Sequence, residues 1–221
     1  RILGVGHLDY VMWSKPRFIG DRVYCPQLDD RLGVWALLDA LPKMGLNFDV
    51  LLTDSEEIGQ STAQWFETEK QYDWVFEFDR RGTDVVMYQY ETEKLCDKLE
   101  DCDFKVGHGS FSDISYLEHL GVKGFNFGVG YYEEHTDYCY ADLGQTYGQL
   151  LKFKRFFNRY NDQRFRHVVQ KPSKTARDWD YECGAGTWDD YGAAKGRSGS
   201  QQYDPWGDGW TYEDFPESVP M

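Results

Sequence analysis

Over residues 1–160, apolar and polar positions come in short alternating blocks, and the period of each block predicts its element. Ile2-Leu3-Gly4-Val5-Gly6 and Val50-Leu51-Leu52-Thr53 are nearly unbroken apolar runs, the pattern of strands buried on both faces. Tyr72 to Asp79 alternates with period two and is strongly aromatic. Asp84 to Tyr90 follows it after an Arg80-Arg81-Gly82-Thr83 turn, which predicts a hairpin. Shorter strands are predicted at Arg22–Cys25 and Val122–Phe127. Helical spacing appears in Leu32–Leu41, stopping around Pro42, after Gly59 through Phe66, and in Glu91–Glu100. Ser112-Asp113 would cap a helix over Ile114–Leu120. The longest helix is predicted for Ala141–Tyr160, with Leu143, Tyr147, Leu150, Leu151 and Phe153 as its inner face. Strands alternating with helices predict an α/β fold, a mixed and mostly parallel sheet sandwiched by helices.

The pattern stops near Pro172. Residues 1–170 are therefore expected to form a single domain, and 171–221 a low-complexity acidic and aromatic tail. From Asp178 onward ten acidic residues face only Lys195 and Arg197, a composition that builds no core of its own. Its Trp and Tyr residues suggest docking on a surface, the chain's own or a neighbour's, so the tail is the expected means of homo-oligomer assembly. A formal net charge of -14 over 221 residues argues against nucleic acid and anionic membrane as partners. No apolar run reaches the length of a membrane-spanning helix. The five cysteines (Cys25, Cys96, Cys102, Cys139, Cys183) are odd in number and include no CxxC pair. That fits a reducing, cytoplasmic setting and argues against both a disulfide framework and a cysteine-built zinc site. The chain opens at Arg1 directly in an apolar run, which raises the expectation of an upstream piece.

Candidate chemistry collects where apolar runs end. In an open α/β sheet, ligands sit outside the carboxyl ends of the strands. His7 follows the first run, Asp29 precedes a helix, Glu57 lies in the turn after Val50–Thr53, Asp79 closes the aromatic strand, and His135 lies in the loop after Phe127. Two imidazoles and three carboxylates suit two divalent ions of zinc type, with cobalt or manganese as alternatives, and leave positions open for water. Asp29 is placed to bridge. One ion would take His7, Asp29 and Asp79, and the other Asp29, Glu57 and His135. Two such ions, roughly 3.5–4 Å apart, polarise a carbonyl and lower the pKa of a bound water toward about 7. Glu56, beside a ligand but not used as one, is then the catalytic general base. Asp9, two residues after His7, would orient that imidazole. Each residue taken singly has an ordinary explanation; Asp29-Asp30, for example, is a favourable charge at a helix start.

The ordered set His7-Leu8-Asp9, Asp29-Asp30-Arg31, Glu56-Glu57, Asp79 and His135 resembles the co-catalytic zinc exopeptidases. That group holds the bacterial leucyl-type aminopeptidases with related carboxypeptidases and amidohydrolases. The resemblance covers roughly residues 1–160, and Gly109-Ser110-Phe111-Ser112-Asp113 is similar to the segment that precedes the family's last ligand. It implies a metal-dependent amide or peptide hydrolase, with Glu56 as base and Glu57 as ligand. Its substrates would be peptides or acyl-amino acids. It also implies a cis peptide between Asp29 and Asp30. The short spacing leaves no room for an inserted lid or dimerisation domain, which points to the compact single-domain aminopeptidases. The chain departs from the family in lacking the region before the H-x-D strand, which leaves a sheet edge uncovered, and in carrying the tail.

Other readings stay open at this point. Gly4-Val5-Gly6 lacks the third glycine and the following helix of a dinucleotide site. Gly107-His108-Gly109-Ser110 has the wrong spacing for a nucleophile elbow. His108 and His119 suit structural or surface roles, and Cys139 a packed thiol. Arg80 and Arg81 suit either surface ion pairs or recognition of a substrate carboxylate. The non-enzymatic alternative is a catalytically silent binding or assembly module whose tail mediates the interactions.

Overall fold

A computed structural model describes residues 1–169. The expected tail over 171–221, and Cys183, lie outside the described residues. Ten strands are present: β1 (Ile2–His7), β2 (Arg17–Ile19), β3 (Arg22–Tyr24), β4 (Asp49–Thr53), β5 (Trp74–Arg80), β6 (Asp84–Val86), β7 (Lys105–Val106), β8 (Gly124–Gly128), β9 (Tyr131–Tyr132) and β10 (Tyr140–Asp142). The main sheet runs β4-β1-β5-β8-β6-β7, and every pairing is parallel except β6 with β8. The expected α/β architecture is therefore present, a mixed and mostly parallel sheet flanked by helices. A second, antiparallel sheet, β2-β3-β10-β9, was not anticipated.

The predicted hairpin between the aromatic strand and its successor does not form. Strand β5 is buried from Trp74 to Phe78, and both its edges are taken by parallel partners, β1 and β8. The Arg80–Thr83 turn instead carries the chain over the end of β8, so that β6 pairs on the far side, Val85 opposite Phe127. Two backbone hydrogen bonds hold this crossing: Gly82 N–H donates to the Tyr131 carbonyl at 2.8 Å, and Gly130 N–H to the Gly82 carbonyl at 2.8 Å. Gly128 permits it, because a Cβ there would meet the Gly82 carbonyl oxygen at 2.7 Å.

Among the described residues, four α-helices flank the sheet. α1 (Leu28–Trp35) continues through a π-helical stretch, Ala36–Ala40, into the short α2 (Leu41–Lys43); α3 is Glu93–Glu100 and α4 is Leu143–Tyr160. Only a 3₁₀ turn, Thr62–Trp65, forms where a helix was expected after Gly59, and Asp113–Leu120 is also 3₁₀. The inner face of α4 differs from expectation. Leu150 and Phe153 are buried as anticipated, but Leu143, Tyr147 and Leu151 are 40%, 59% and 42% exposed. Phe156, Phe157 and Tyr160 do the packing in their place. The reason is aromatic volume: Trp74, Phe76 and Phe78 project from one face of β5, and the rings of Phe153, Phe156 and Phe157 meet them edge-on or tilted at 4.6–5.8 Å. Burying each such side chain contributes about 1.5–3 kcal/mol. Among the described residues, no helix is long and apolar enough to cross a membrane, and Cys25, Cys96, Cys102 and Cys139 are free thiols.

Candidate metal centre

The parallel pairing of β4, β1 and β5 sets their carboxyl ends side by side, and these ends carry the candidates. His7 ends β1, Asp79 is next to last in β5, and Glu56-Glu57 follow β4. Asp29 enters from α1, where Asp29 and Asp30 depart from helical geometry and the peptide between them is cis. His135 enters from the loop between β9 and β10. It has a φ of +60°, a left-handed conformation that costs a non-glycine residue roughly 1–2 kcal/mol.

All five meet. His7 Nε2 lies 3.4 Å from Asp29 Oδ1 and 3.5 Å from Asp79 Oδ1. His135 Nε2 lies 3.1 Å from Asp29 Oδ2 and 2.9 Å from Glu57 Oε2. The residues thus form two groups, His7 with Asp29 and Asp79, and Asp29 with Glu57 and His135, each with its ligand atoms within 4.8 Å of one another. One oxygen of Asp29 faces each group. The donors fit divalent ions. His7 Nε2 and Glu57 Oε1 are buried without an aligned hydrogen bond, so neither is satisfied by the protein alone. Both groups mix imidazole nitrogen with carboxylate oxygen, as zinc and similar ions prefer.

The electrostatics reflect this crowding. Burial and the neighbouring Asp29 carboxylate push the Asp79 pKa well up, with His7 pulling against them. Asp29 goes the other way: burial would raise it, but the adjacent His135 and His7 rings prevail and hold it below the usual carboxylate range. His135, hydrogen-bonded to Asp29, is pushed up to about 9. Glu56 is half-buried with its pKa raised to about 7, first by burial, with His7 opposing and Asp113, Glu57 and Asp29 adding to it. Such a value suits a group that takes and returns protons near neutrality.

Asp9 does more than was anticipated. Its carboxylate lies 3.2 Å from His7 Nδ1 and also accepts the backbone N–H groups of Glu56 at 3.3 Å and Glu57 at 3.1 Å. One side chain therefore fixes both the first imidazole and the acidic turn. Sequence reasoning missed a second ring of buried acids. Glu77 accepts a hydrogen bond from Ser112, and Asp113 accepts one from Thr53. The Asp30 oxygens have no hydrogen-bond partner among the described residues and lie against Gly33, where a Cβ would not fit. Glu77 had one available signal, a carboxylate in the middle of an otherwise apolar strand.

The two arginines differ. Arg80 binds Asp84 with both Nε and Nη2, at 3.1 and 2.9 Å. Arg81 donates to Glu134 at 2.8 Å and remains 62% exposed. It lies on a cavity of about 400 Å³ that also touches Tyr132, Glu133, Glu134 and His135. His119 is tied to the carbonyls of Phe66 and Tyr116, a structural role.

No family profile and no curated protein matches the sequence. Solved structures do. Aminopeptidase PepT from Bacillus cereus aligns with a TM-score of 0.55 at 10% identity, over 70% of this chain and 79% of that one. A tripeptidase from Staphylococcus aureus aligns with a TM-score of 0.59 at 11% identity, over 74% and 81%. A third structure, PhTET1-12s, described as a dodecamer, gives a TM-score of 0.47 at 20% identity, over 63% and 53%. The first two establish that this chain has the fold seen in those peptidase structures.

Proposed function

We propose that the protein is a two-metal amide hydrolase of exopeptidase type. The observation that carries this reading is the pair of ligand groups sharing Asp29 at the carboxyl end of a parallel sheet. The likeness of the fold to an aminopeptidase and a tripeptidase supports it. His7, Asp29 and Asp79 would hold one ion, and Asp29, Glu57 and His135 the other. When bound, the pair polarises the scissile carbonyl, stabilises its developing negative charge and acidifies water. Glu56 accepts a proton from the attacking water and delivers it to the departing amine. Its raised pKa lets it do both. Asp9 keeps His7 oriented and holds Glu56 at its station through the turn's backbone. The chain would act on peptides or acyl-amino acids, with zinc as the first metal to try and cobalt and manganese as alternatives.

The test uses purified protein, stripped with a chelator and reloaded, on a panel of aminoacyl and peptide amides. Turnover should return with the metal. Glu56→Gln should keep two ions per chain while kcat falls about 10²–10⁴-fold. Two ions bound with no turnover on any amide would reject the hydrolase and leave a metal-binding module.

A further inference from the structure

The sequence sets Arg80 and Arg81 side by side, and the fold separates their tasks. Arg80 spends its guanidinium on both oxygens of Asp84 and on the His108 carbonyl, the latter at 3.3 Å. Arg81 uses only Nη1, on Glu134 Oε1. Its Nε and Nη2 have no hydrogen-bond partner among the described residues, and most of the side chain faces solvent. Exposed ion pairs are weak, so the contact to Glu134 steers the guanidinium without consuming it.

The location gives those free donors a purpose. Arg81 lies two residues beyond Asp79, and its cavity is shared with His135, which reaches Asp29 and Glu57. The cavity thus sets a guanidinium with unused N–H groups beside His135, a residue of the second ligand group. A volume of about 400 Å³ admits a few residues of extended peptide. The planar fork of an arginine matches a carboxylate. From this we infer that Arg81 reads a free carboxylate on the substrate, with Glu134 as its positioning residue. The substrate class is short peptides with a free C-terminus, or acyl-amino acids. This rests on the amide-hydrolase reading for what happens to the bound substrate, but not for the binding itself.

Isothermal titration with the zinc-loaded full chain carrying Glu56→Gln separates the two, because binding is read without turnover. The probes are leucylglycine and leucylglycinamide, identical except for the terminal carboxylate. Leucylglycine should bind at least about tenfold more tightly. Adding Arg81→Ala should bring the ratio near one, and Arg81→Lys should restore part of it. Equal binding of the two probes, or failure of both to bind, would overturn the inference. So would a preference for the amide, which would assign the cavity to the substrate's ammonium through Glu133 and Glu134. An acid preference that survives Arg81→Ala would place the carboxylate on the metal instead, which also overturns it. Selective acid binding together with no hydrolysis of any amide by the Glu56 protein would sink the proposed function and leave the Arg81 assignment standing.

Discussion

The two faces of β5 are made from alternate residues of one strand, and they do opposite work. Trp74, Phe76 and Phe78 point into an aromatic core closed by α4, and Trp74 donates its indole N–H to the Tyr160 carbonyl at 3.0 Å. Val75, Glu77 and Asp79 alternate with them; Glu77 meets Ser112, and Asp79 meets His7. The first face removes apolar surface from water and stabilises the fold. The second holds buried carboxylates set close together, a burden on the fold that bound cations would relieve under the proposed function. The lesson is that the crowding of buried acids is a cost placed one residue away from the packing that offsets it.

If the faces are independent, mutations should separate metal binding from stability. The largest effect is expected from Asp29→Asn, which removes the oxygen facing one or the other group. Bound metal should fall below two ions per chain, hydrolysis should drop to background, and the metal-induced rise in Tm should vanish. Retention of both ions would break the shared-ligand reading. Phe153→Ala, on the other face, should cost about 3–5 kcal/mol, or roughly 10 °C in Tm, with metal stoichiometry unchanged. Loss of metal in that variant would show that the faces are coupled. Asp9→Asn should be milder, about 10–100-fold in metal affinity or activity, because it loosens His7 and the acidic turn without removing a ligand.

The smallest effect expected is a pH trend in the metal-free protein. Burial raises the pKa values of Glu77, Asp79 and Asp113, and Glu56 titrates near 7. Groups raised in the folded state bind protons that the unfolded chain releases. Their contribution is complete below the unfolded values and is lost as pH climbs through the folded ones. His135, raised to about 9, acts in the same direction; the depressed Asp29 matters only below the ordinary carboxylate range. Metal-free Tm should therefore fall by a few degrees between about pH 5.5 and pH 8. Added zinc should oppose the fall, since ligands bind it deprotonated. Scanning calorimetry at a series of pH values reads both, and a metal-free Tm that rises over this window would contradict the picture.

The strand-end positions were legible because each falls where an apolar run gives way to a turn, a local signal. Strand order was not. Nothing near Asp79 announces that β8, more than forty residues later, will occupy the edge that a hairpin would use. The inner face of α4 was misjudged for a related reason: Leu143 and Leu151 are apolar like Phe156 and Phe157, and the rings of β5 and β8 decide between them. The burial of Asp30, Glu77 and Asp113 was not foreseen because a carboxylate in a strand or at a helix start looks like any solvated one until the layer above it is known.

The close approach of Gly82 to Gly128 has a consequence for how the turn that carries Arg81 could be moved. The Arg81 turn rests on a spot where no side chain fits, so the backbone that carries Arg81 is held in place by a glycine outside the cavity lining. A methyl group at Gly128 would tilt the whole turn. If the Arg81 inference holds, a screen for altered selectivity that randomised only the residues lining the cavity would pass over Gly128.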